Sequence, residues 1–260
     1  MCSKILLGVL AVLLSILLYP IALPPKFDVP APGAILVTGA GSGIGRHTAL
    51  KLAKDLPGHT IFGLVRKEKD FKLLLEVSNG RVQPIVADLT DHDSLKTGIG
   101  ALQKRLNQDG KQLVGFFDSA GHPVPNVPLE FADVAVMKQI YEVDVFGLVA
   151  LLKMVLPLLR ESRGRICLMG SVTGAVTPSF MAMDAARAIE VIADAMRREV
   201  LPFGVAVSVV QAGFVHSPII NKTESMDHEL LKSATGKAML EAYPKLAEKS
   251  YETQMPQSEM

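Results

Sequence analysis

One short segment restricts the fold of this 260-residue chain more than any other. An apolar run, residues 34–38 (AILVT), is followed directly by the glycine-rich stretch 39–45 (GAGSGIG). We predict a buried strand, a tight turn and then a helix that opens near residue 44. Glycines permit such a turn, and they let backbone N–H groups at the helix N-terminus approach a pyrophosphate. Because the glycines stand between a strand and a helix, they favour a dinucleotide site over a turn without a ligand.

The same alternation of strand and helix continues along the chain. Predicted strands cover 34–38, 60–65, 82–86, 113–117, 165–169 and 205–210, and predicted helices lie near 44–56, 69–78, 92–107, 131–160 and 183–201. Continuous apolar strands are typical of a parallel sheet that is covered on both faces. We therefore predict the α/β class, with one Rossmann-type doubly wound parallel sheet in a single domain.

The N-terminus has a different character. Residues 5–23 contain no charged side chain, and at about 1.5 Å per residue they approach the roughly 30 Å hydrocarbon core of a bilayer. We predict an uncleaved, single-pass membrane anchor over residues 1–23. The alternative is a cleaved secretory signal, but the segment shows no clear small-x-small cleavage site and ends among prolines. The rest of the chain is predicted to form a proline-rich linker over 24–33, a dinucleotide-binding domain over 34–221 and a helical tail over 222–260.

Composition excludes several classes of function. The net charge is +1, from 27 basic and 26 acidic residues, which argues against a nucleic-acid partner. The six histidines are scattered singly and no HExxH or CxxC motif is present, so we predict no metal site. The two cysteines, Cys2 and Cys167, cannot form a disulfide framework.

The glycine spacing Gly39-x-x-x-Gly43-x-Gly45 resembles that of the short-chain dehydrogenase/reductase family, and the resemblance extends from Ala34 to Pro218. Further matching motifs are Asp88-Leu89, Asp118-Ser119-Ala120-Gly121, Asp144 with Phe146-Gly147, Gly164-Arg165-Ile166, Gly170-Ser171 with Gly174, Arg197-Arg198-Glu199, and Ala212-Gly213 with Ser217-Pro218. The resemblance implies a nicotinamide dinucleotide, held by Gly39, Gly41, Ser42, Gly43, Ile44, Gly45, Arg66, Asp88, Leu89, Asp118, Ala120, Gly121, Gly213 and Ser217. With the anchor, the chain is similar to membrane-bound retinol and 17-beta-hydroxysteroid dehydrogenases, which implies a membrane location such as the endoplasmic reticulum.

The end of the second predicted strand bears on which dinucleotide binds. Arg66 and Lys67 follow Val65 there. An arginine at this position favours the 2′-phosphate of NADP, whereas an acidic residue would hold the ribose 2′-OH of NAD. We predict NADP(H) over NAD(H). Arg66 as an ordinary solvated charge is the alternative, and the nearby Asp70 keeps NAD(H) open.

The active-site motif departs from the family pattern. The resemblance implies catalysis by a tyrosine, a lysine four residues later, a serine and an upstream asparagine. The chain keeps the serine as Ser171 and has Asp144 in place of the asparagine. Alanines 182 and 186 occupy the tyrosine and lysine positions, or Met183 and Arg187 if the register shifts by one residue. No register supplies a tyrosine.

Three hypotheses follow from this departure. In the first, the chain binds NAD(P) but has lost or greatly weakened hydride chemistry, and serves in binding, sensing or scaffolding. In the second, it is a working oxidoreductase of lipophilic alcohols or ketones that uses Asp184, Tyr141 or the substrate itself for proton transfer. In the third, the sheet folds poorly and binds nothing. No strand-like run follows Ala212, so we also expect the last edge strand of the sheet to be missing, which would leave its neighbour open to a protein partner or a second copy.

Overall fold

The computed structural model describes residues 31–244. The predicted anchor, most of the linker and residues 245–260 of the predicted tail lie outside this range. Six strands form one sheet in the order β3-β2-β1-β4-β5-β6, and every pairing is parallel. They are β1 (Ala34–Val37), β2 (Thr60–Val65), β3 (Val82–Val86), β4 (Leu113–Asp118), β5 (Arg165–Ser171) and β6 (Ala206–Ala212). The predicted α/β class and Rossmann-like parallel sheet are therefore confirmed.

Helices connect these strands. They are α1 (Gly43–Asp55), α2 (Glu68–Val77), α3 (His92–Asp109), α4 (Val134–Tyr141), α5 (Leu148–Ser162), α6 (Ala186–Val200), α7 (Pro218–Lys232) and α8 (Ala234–Ala242). Apolar side chains of α3, α5 and α6 pack on one face of the sheet, around Phe116. A second apolar cluster joins α1 and α2 to the other face, around Ile61. Because helices cover both faces, the strands are apolar on both sides.

The strand order reverses beside β1, which pairs with β2 on one side and with β4 on the other. In open α/β sheets, the crevice outside the carboxyl ends of the strands at such a reversal is the usual ligand site. The segments that follow β1 and β4 both meet at this crevice. The fold thus brings the glycine-rich stretch and the 118–121 motif together, although they are far apart in the sequence.

The helix predicted over 131–160 is wrong at its start and in its continuity. A 3₁₀ turn occupies Leu129–Phe131, and α4 begins only at Val134. The residue before it, Asp133, caps the helix, because its carboxylate accepts the N–H of Ala135 at 2.7 Å. A π-helical turn, Glu142–Gly147, then separates α4 from α5. Gly147 packs tightly there, since a Cβ on it would lie 2.7 Å from the Cβ of Leu89.

The helix predicted from residue 183 also begins later, at Ala186. The carboxylate of Asp184 accepts the N–H of Ala186 at 2.9 Å, and it therefore satisfies an amide at the start of α6. Helix propensity alone does not reveal this boundary, because the second partner of Asp184 is Thr173 on a different segment.

The described chain after β6 is helical. Between Gly213 and residue 244 no further strand is formed, and β6 pairs only with β5. Helix α7 starts at Pro218, so the predicted domain boundary after residue 221 falls inside a helix. No helix between residues 31 and 244 has the length and apolarity needed to cross a membrane.

Candidate functional site

The turn after β1 requires glycine at two positions. Gly39 has φ = 62°, and a Cβ on it would lie 2.5 Å from the carbonyl oxygen of Ser119. A Cβ on Gly45 would lie 2.5 Å from the carbonyl oxygen of Gly39. Real Cβ atoms do not approach backbone this closely, so a side chain at either position would force the turn and helix α1 away from the sheet.

The N-terminus of α1 is suited to an anion. Its N-cap residue, the exposed Ser42, makes no side-chain capping bond, and the first turn contains no acidic residue. The first amides of a helix lack partners within the helix, and they carry the positive end of its dipole. A pyrophosphate therefore fits the charge and hydrogen-bonding requirements of this turn.

A buried pair joins the ends of β1 and β4 beneath the turn. The Thr38 hydroxyl donates to Asp118 Oδ1 at 2.6 Å and accepts the N–H groups of Ser119 and Ala120 at 2.9 and 3.0 Å. Burial raises the pKa of Asp118 to about 6, against the opposing effect of the Thr38 hydrogen bond. Asp118 and Ala120, both predicted site residues, are thus held in place by Thr38. The prediction did not include Thr38, which it treated as the last residue of a strand.

Asp144 lies in the π-helical turn and faces the loop after β4. Its Oδ1 accepts the main-chain N–H of His122 at 2.8 Å. A Cβ on Gly121 would lie 3.8 Å from Oδ1 and 4.0 Å from Oδ2 of this carboxyl group. Burial raises the pKa of Asp144 to about 8; the His122 hydrogen bond opposes the shift, and the charges of Asp118 and Asp184 add to it.

Ser171 ends β5 and keeps its hydroxyl proton available. Its Oγ accepts the N–H of Thr173 at 3.2 Å, so its O–H is free to donate to a carbonyl oxygen. The Thr173 hydroxyl donates in turn to Asp184. Asp184, which the sequence indicated only as an alternative proton donor, is therefore linked to the turn that follows Ser171.

The positions expected for tyrosine and lysine differ in their surroundings. Ala182 is exposed and precedes α6, whereas Ala186 is buried in its first turn. In the shifted register, Met183 is buried in an apolar cluster with Ile140 and Met239. Arg187 is exposed and donates from Nη1 to the carbonyl oxygen of Gly174 at 2.7 Å. In both registers the expected positions lie at or just before the start of α6, and neither register provides a phenol.

The two tyrosines of the described chain have other partners. Tyr141 packs beside the apolar cluster that contains Met183. Tyr243 donates its hydroxyl to Glu130 and contacts the rings of Phe131 and Phe180 edge-on. Within residues 31–244, neither phenol is hydrogen-bonded to Ser171.

The first turn of α7 borders the crevice. A Cβ on Gly43 would lie 3.5 Å from Pro218 Cδ and 3.6 Å from Ser217 Cβ. A Cβ on Gly121 would lie 3.9 Å from Ile219 Cδ1. Ser217 is buried, whereas Gly213 is exposed with nothing within 4 Å of its Cβ position. The segment from Ser217 to Ile219 thus extends from the glycine-rich turn to Gly121. No local sequence pattern predicts Ile219 at that position.

At the opposite end of the crevice, beside β2, charges of both signs are present. Arg66 is exposed and makes no hydrogen bond within the described range. Asp70, from the first turn of α2, packs against the glycine-rich turn: a Cβ on Gly41 would lie 3.2 Å from Asp70 Cβ and 3.5 Å from Oδ2. A cationic and an anionic side chain therefore both follow β2 at this end of the crevice.

The two side chains of the Asp88-Leu89 motif lie in different environments, one near the surface and one in the core. Asp88 Oδ1 accepts the N–H and the hydroxyl of Thr90 at 2.9 and 2.8 Å. The side chain of Leu89 is buried in the main apolar cluster. Only Asp88 of the pair thus presents its side chain near the surface at the end of β3.

The comparison with family models decides the family. The model for the short chain dehydrogenase family matches residues 33–228, which include all six strands. The chain belongs to the short-chain dehydrogenase family.

Individual relatives agree with this assignment. Rabbit (Oryctolagus cuniculus) 11-beta-hydroxysteroid dehydrogenase type 2 is 34% identical over 213 residues, covering 80% of this chain and 50% of that protein. Mouse (Mus musculus) retinol dehydrogenase 5 is 27% identical over 248 residues, covering 90% of this chain and 76% of that protein. The crystal structure of a short-chain dehydrogenase from Streptomyces avermitilis has a TM-score of 0.62 at 26% identity, covering 73% of this chain and 68% of that one. The chain thus spans about half the length of the rabbit enzyme.

Proposed function

We propose that this chain binds a nicotinamide dinucleotide at the carboxyl edge of its sheet and that the family's standard hydride chemistry is lost or greatly weakened. The observation that carries the proposal is the uncapped N-terminus of α1 behind the turn Gly39–Gly45, at the reversal of strand order. A dinucleotide bound there would supply the hydride donor or acceptor. The chain's own residues would bind and orient it.

The proposed binding residues extend along the crevice. The amides at the start of α1 would hold the pyrophosphate. Arg66 and Asp88 would contact the adenosine half, and Ala120, Gly121, Gly213 and Ser217 would border the nicotinamide half, as the family resemblance implies. The strand order supports this direction, because Arg66 follows β2 on one side of β1 and Gly121 follows β4 on the other.

Weakened chemistry is proposed because the proton donor is missing. Ser171 can hold a carbonyl oxygen, but the positions expected for tyrosine and lysine carry Ala182 and Ala186, or Met183 and Arg187 in the shifted register. One observation favours an alternative, an NADP(H)-dependent oxidoreductase of a lipophilic alcohol or carbonyl compound. Thr173 links Ser171 to Asp184, since its main-chain N–H donates to Ser171 Oγ and its hydroxyl donates to the Asp184 carboxylate. The relatives also include enzymes named for hydroxysteroids and retinol.

Binding can be measured directly. Because the chain contains no tryptophan, the fluorescence of NADPH itself is the clean signal, with calorimetry for NADP⁺. We expect saturable binding by the 260-residue chain in mild detergent. Failure of all four forms, NADP⁺, NADPH, NAD⁺ and NADH, to bind to folded protein would refute the proposal.

Arg66 and Asp70 are expected to act in opposite directions on cofactor preference. Arg66→Ala should weaken NADPH binding by about 1–3 kcal/mol, roughly 5- to 150-fold, because a hydrogen bond to the charged 2′-phosphate is lost. NADH binding should hardly change. Asp70→Asn should strengthen NADPH binding, since it removes a negative charge beside the 2′-phosphate. Lys67→Ala is the control for general loss of positive charge, and equal losses of NADPH and NADH in Arg66→Ala would remove Arg66 from the account.

We also propose that residues 5–23 anchor the chain in a membrane, on the basis of their uncharged length. The expected result is that the chain stays in the membrane pellet after extraction with alkaline carbonate. Replacing Leu13 and Leu14 with lysine in the centre of the run should release it, because each buried charge is costly there. A full-length chain in the carbonate supernatant, or cleavage near residue 23, would contradict the anchor.

A further inference from the structure

Three acidic side chains lie within electrostatic range of one another on the side of β1 opposite Arg66. Asp118 ends β4, Asp144 lies in the π-helical turn, and Asp184 precedes α6. They are close enough for the charges of Asp118 and Asp184 to act on Asp144. Carboxylates this close to one another are destabilised as anions unless a positive charge lies nearby.

Neutral groups supply the hydrogen bonds to these carboxyl groups. Asp118 accepts from the Thr38 hydroxyl, Asp144 from the N–H of His122, and Asp184 from the Thr173 hydroxyl and the N–H of Ala186. No cationic side chain forms a salt bridge with any of the three within residues 31–244. The basic residue at the start of α6, Arg187, directs Nη1 to the carbonyl oxygen of Gly174 instead.

Asp144 is the member of this group that is least stabilised as an anion. It accepts one hydrogen bond, through Oδ1, and Oδ2 has none within the described chain. Burial and its two acidic neighbours raise the pKa of Asp144 to about 8, so it holds a proton at neutral pH. The polar and charged groups that act on it are Asp118 from β4, the main-chain N–H of His122 from the following loop and Asp184 from before α6. Ile219 from α7 lies near Gly121 of the same loop.

Geometry places this carboxyl group beside the nicotinamide half of the proposed ligand. The start of α7 lies beside both glycines, because a Cβ on Gly43 would meet Ser217 and Pro218 and a Cβ on Gly121 would meet Ile219. A Cβ on Gly121 would also lie 3.8 Å from Oδ1 of the Asp144 carboxyl group. A dinucleotide whose pyrophosphate lies at Gly43 and whose adenosine lies near Arg66 must therefore extend its other half toward Asp144.

We propose that this site selects the oxidised dinucleotide over the reduced one, because the positively charged nicotinamide ring supplies the cation that Asp118, Asp144 and Asp184 otherwise lack. The inference rests on the proposed dinucleotide binding. The reduced ring is neutral and gives no such compensation. The chain thereby responds to the ratio of oxidised to reduced dinucleotide, without turning either over.

Binding of the oxidised dinucleotide is coupled to the release of one proton from Asp144. Asp144 in its carboxylic acid form and NADP⁺ give the Asp144 carboxylate paired with NADP⁺, and the proton goes to solvent. No electron is transferred. An opposite charge within about 4–6 Å typically lowers a carboxyl pKa by about 1–3 units, so binding of NADP⁺ should ionise Asp144 at neutral pH. By linkage, NADP⁺ affinity rises as the pH increases toward the pKa of free Asp144 and levels off above it.

Calorimetry on the 260-residue chain in mild detergent tests this. NADP⁺ and NADPH are titrated at about pH 7 in two buffers of different ionisation enthalpy. We expect NADP⁺ to bind at least about tenfold more tightly, with release of nearly one proton, and NADPH to bind without proton release. Asp144→Asn should abolish the release and reduce the preference by about tenfold, while Glu142→Gln, an exposed acid in the same turn, should alter neither.

The outcomes separate the two proposals. If neither form binds, dinucleotide binding itself is refuted. If both bind equally, or NADPH binds more tightly, and no proton is released, the selection is refuted while binding stands. Should Asp144→Asn fail to fold, the wild-type protein still decides, because the affinity ratio of NADP⁺ to NADPH must rise between about pH 6.5 and pH 8.5, and a flat ratio overturns the inference.

Discussion

Gly43→Val is expected to abolish dinucleotide binding while leaving the sheet intact. Gly43 has φ = 52°, a conformation that a β-branched residue rarely adopts. A Cβ there has ordinary contacts with Pro218 and Ser217, at 3.5 and 3.6 Å, but the valine methyl groups would cover the amides at the start of α1. Losing two hydrogen bonds to a charged pyrophosphate, at about 1.5–3 kcal/mol each, corresponds to roughly 100-fold weaker binding or more.

NADPH fluorescence titration measures this loss, with circular dichroism and a melting curve as the test of folding. Gly100→Val is the matched control, because Gly100 lies on an exposed part of α3 with nothing within 4 Å of its Cβ position. The control should keep wild-type affinity. Binding by folded Gly43→Val within a few-fold of wild type would show that the pyrophosphate does not lie at this turn.

The second large effect concerns catalysis. We expect negligible NADP(H)-dependent turnover of retinoids, steroids or simple carbonyls by the wild-type chain, despite cofactor binding. A positioned acid–base group typically contributes about 10²–10⁴-fold, and neither alanine 182 nor alanine 186 can supply one. Ala182→Tyr with Ala186→Lys should raise kcat more than the product of the two single changes, since the pair acts as a unit.

The structure makes one register of this rescue the better choice. Ala182 is exposed, so it can accept a tyrosine without repacking, although Ala186 is buried and its lysine must displace neighbours. Met183→Tyr with Arg187→Lys should be made in parallel, and it should lower stability because Met183 is 1% exposed within an apolar cluster. Adding Ser171→Ala to the active double variant should remove the recovered turnover. Robust wild-type turnover that survives Ser171→Ala and Asp184→Asn would defeat the proposal of weakened chemistry.

Local sequence patterns were sufficient to predict the strands of the sheet and the glycine-rich turn. The residues 60–65 and 82–86 become β2 and β3 with the predicted bounds, because continuous apolar runs can be buried only inside a covered parallel sheet. The glycine-rich stretch could likewise be placed at the start of α1, since its conformational demands are properties of the glycines themselves. The first residues of the helices were harder to predict than the strands. The carboxylate at the start of α6 is also bonded to Thr173, and no periodicity within the helix encodes that contact.

What the sequence determined by itself was therefore the α/β class, the position of the glycine turn and the lack of any tyrosine between Tyr141 and Tyr243, because each can be read from residues that are adjacent or periodic. The tertiary structure alone decided that Asp118 and Asp184 come within electrostatic range of Asp144 and that Asp70 lies beside Gly41. These side chains come from separate elements, and the pKa of Asp144 depends on burial and on the distance to other charges. Both quantities exist only once the chain has folded.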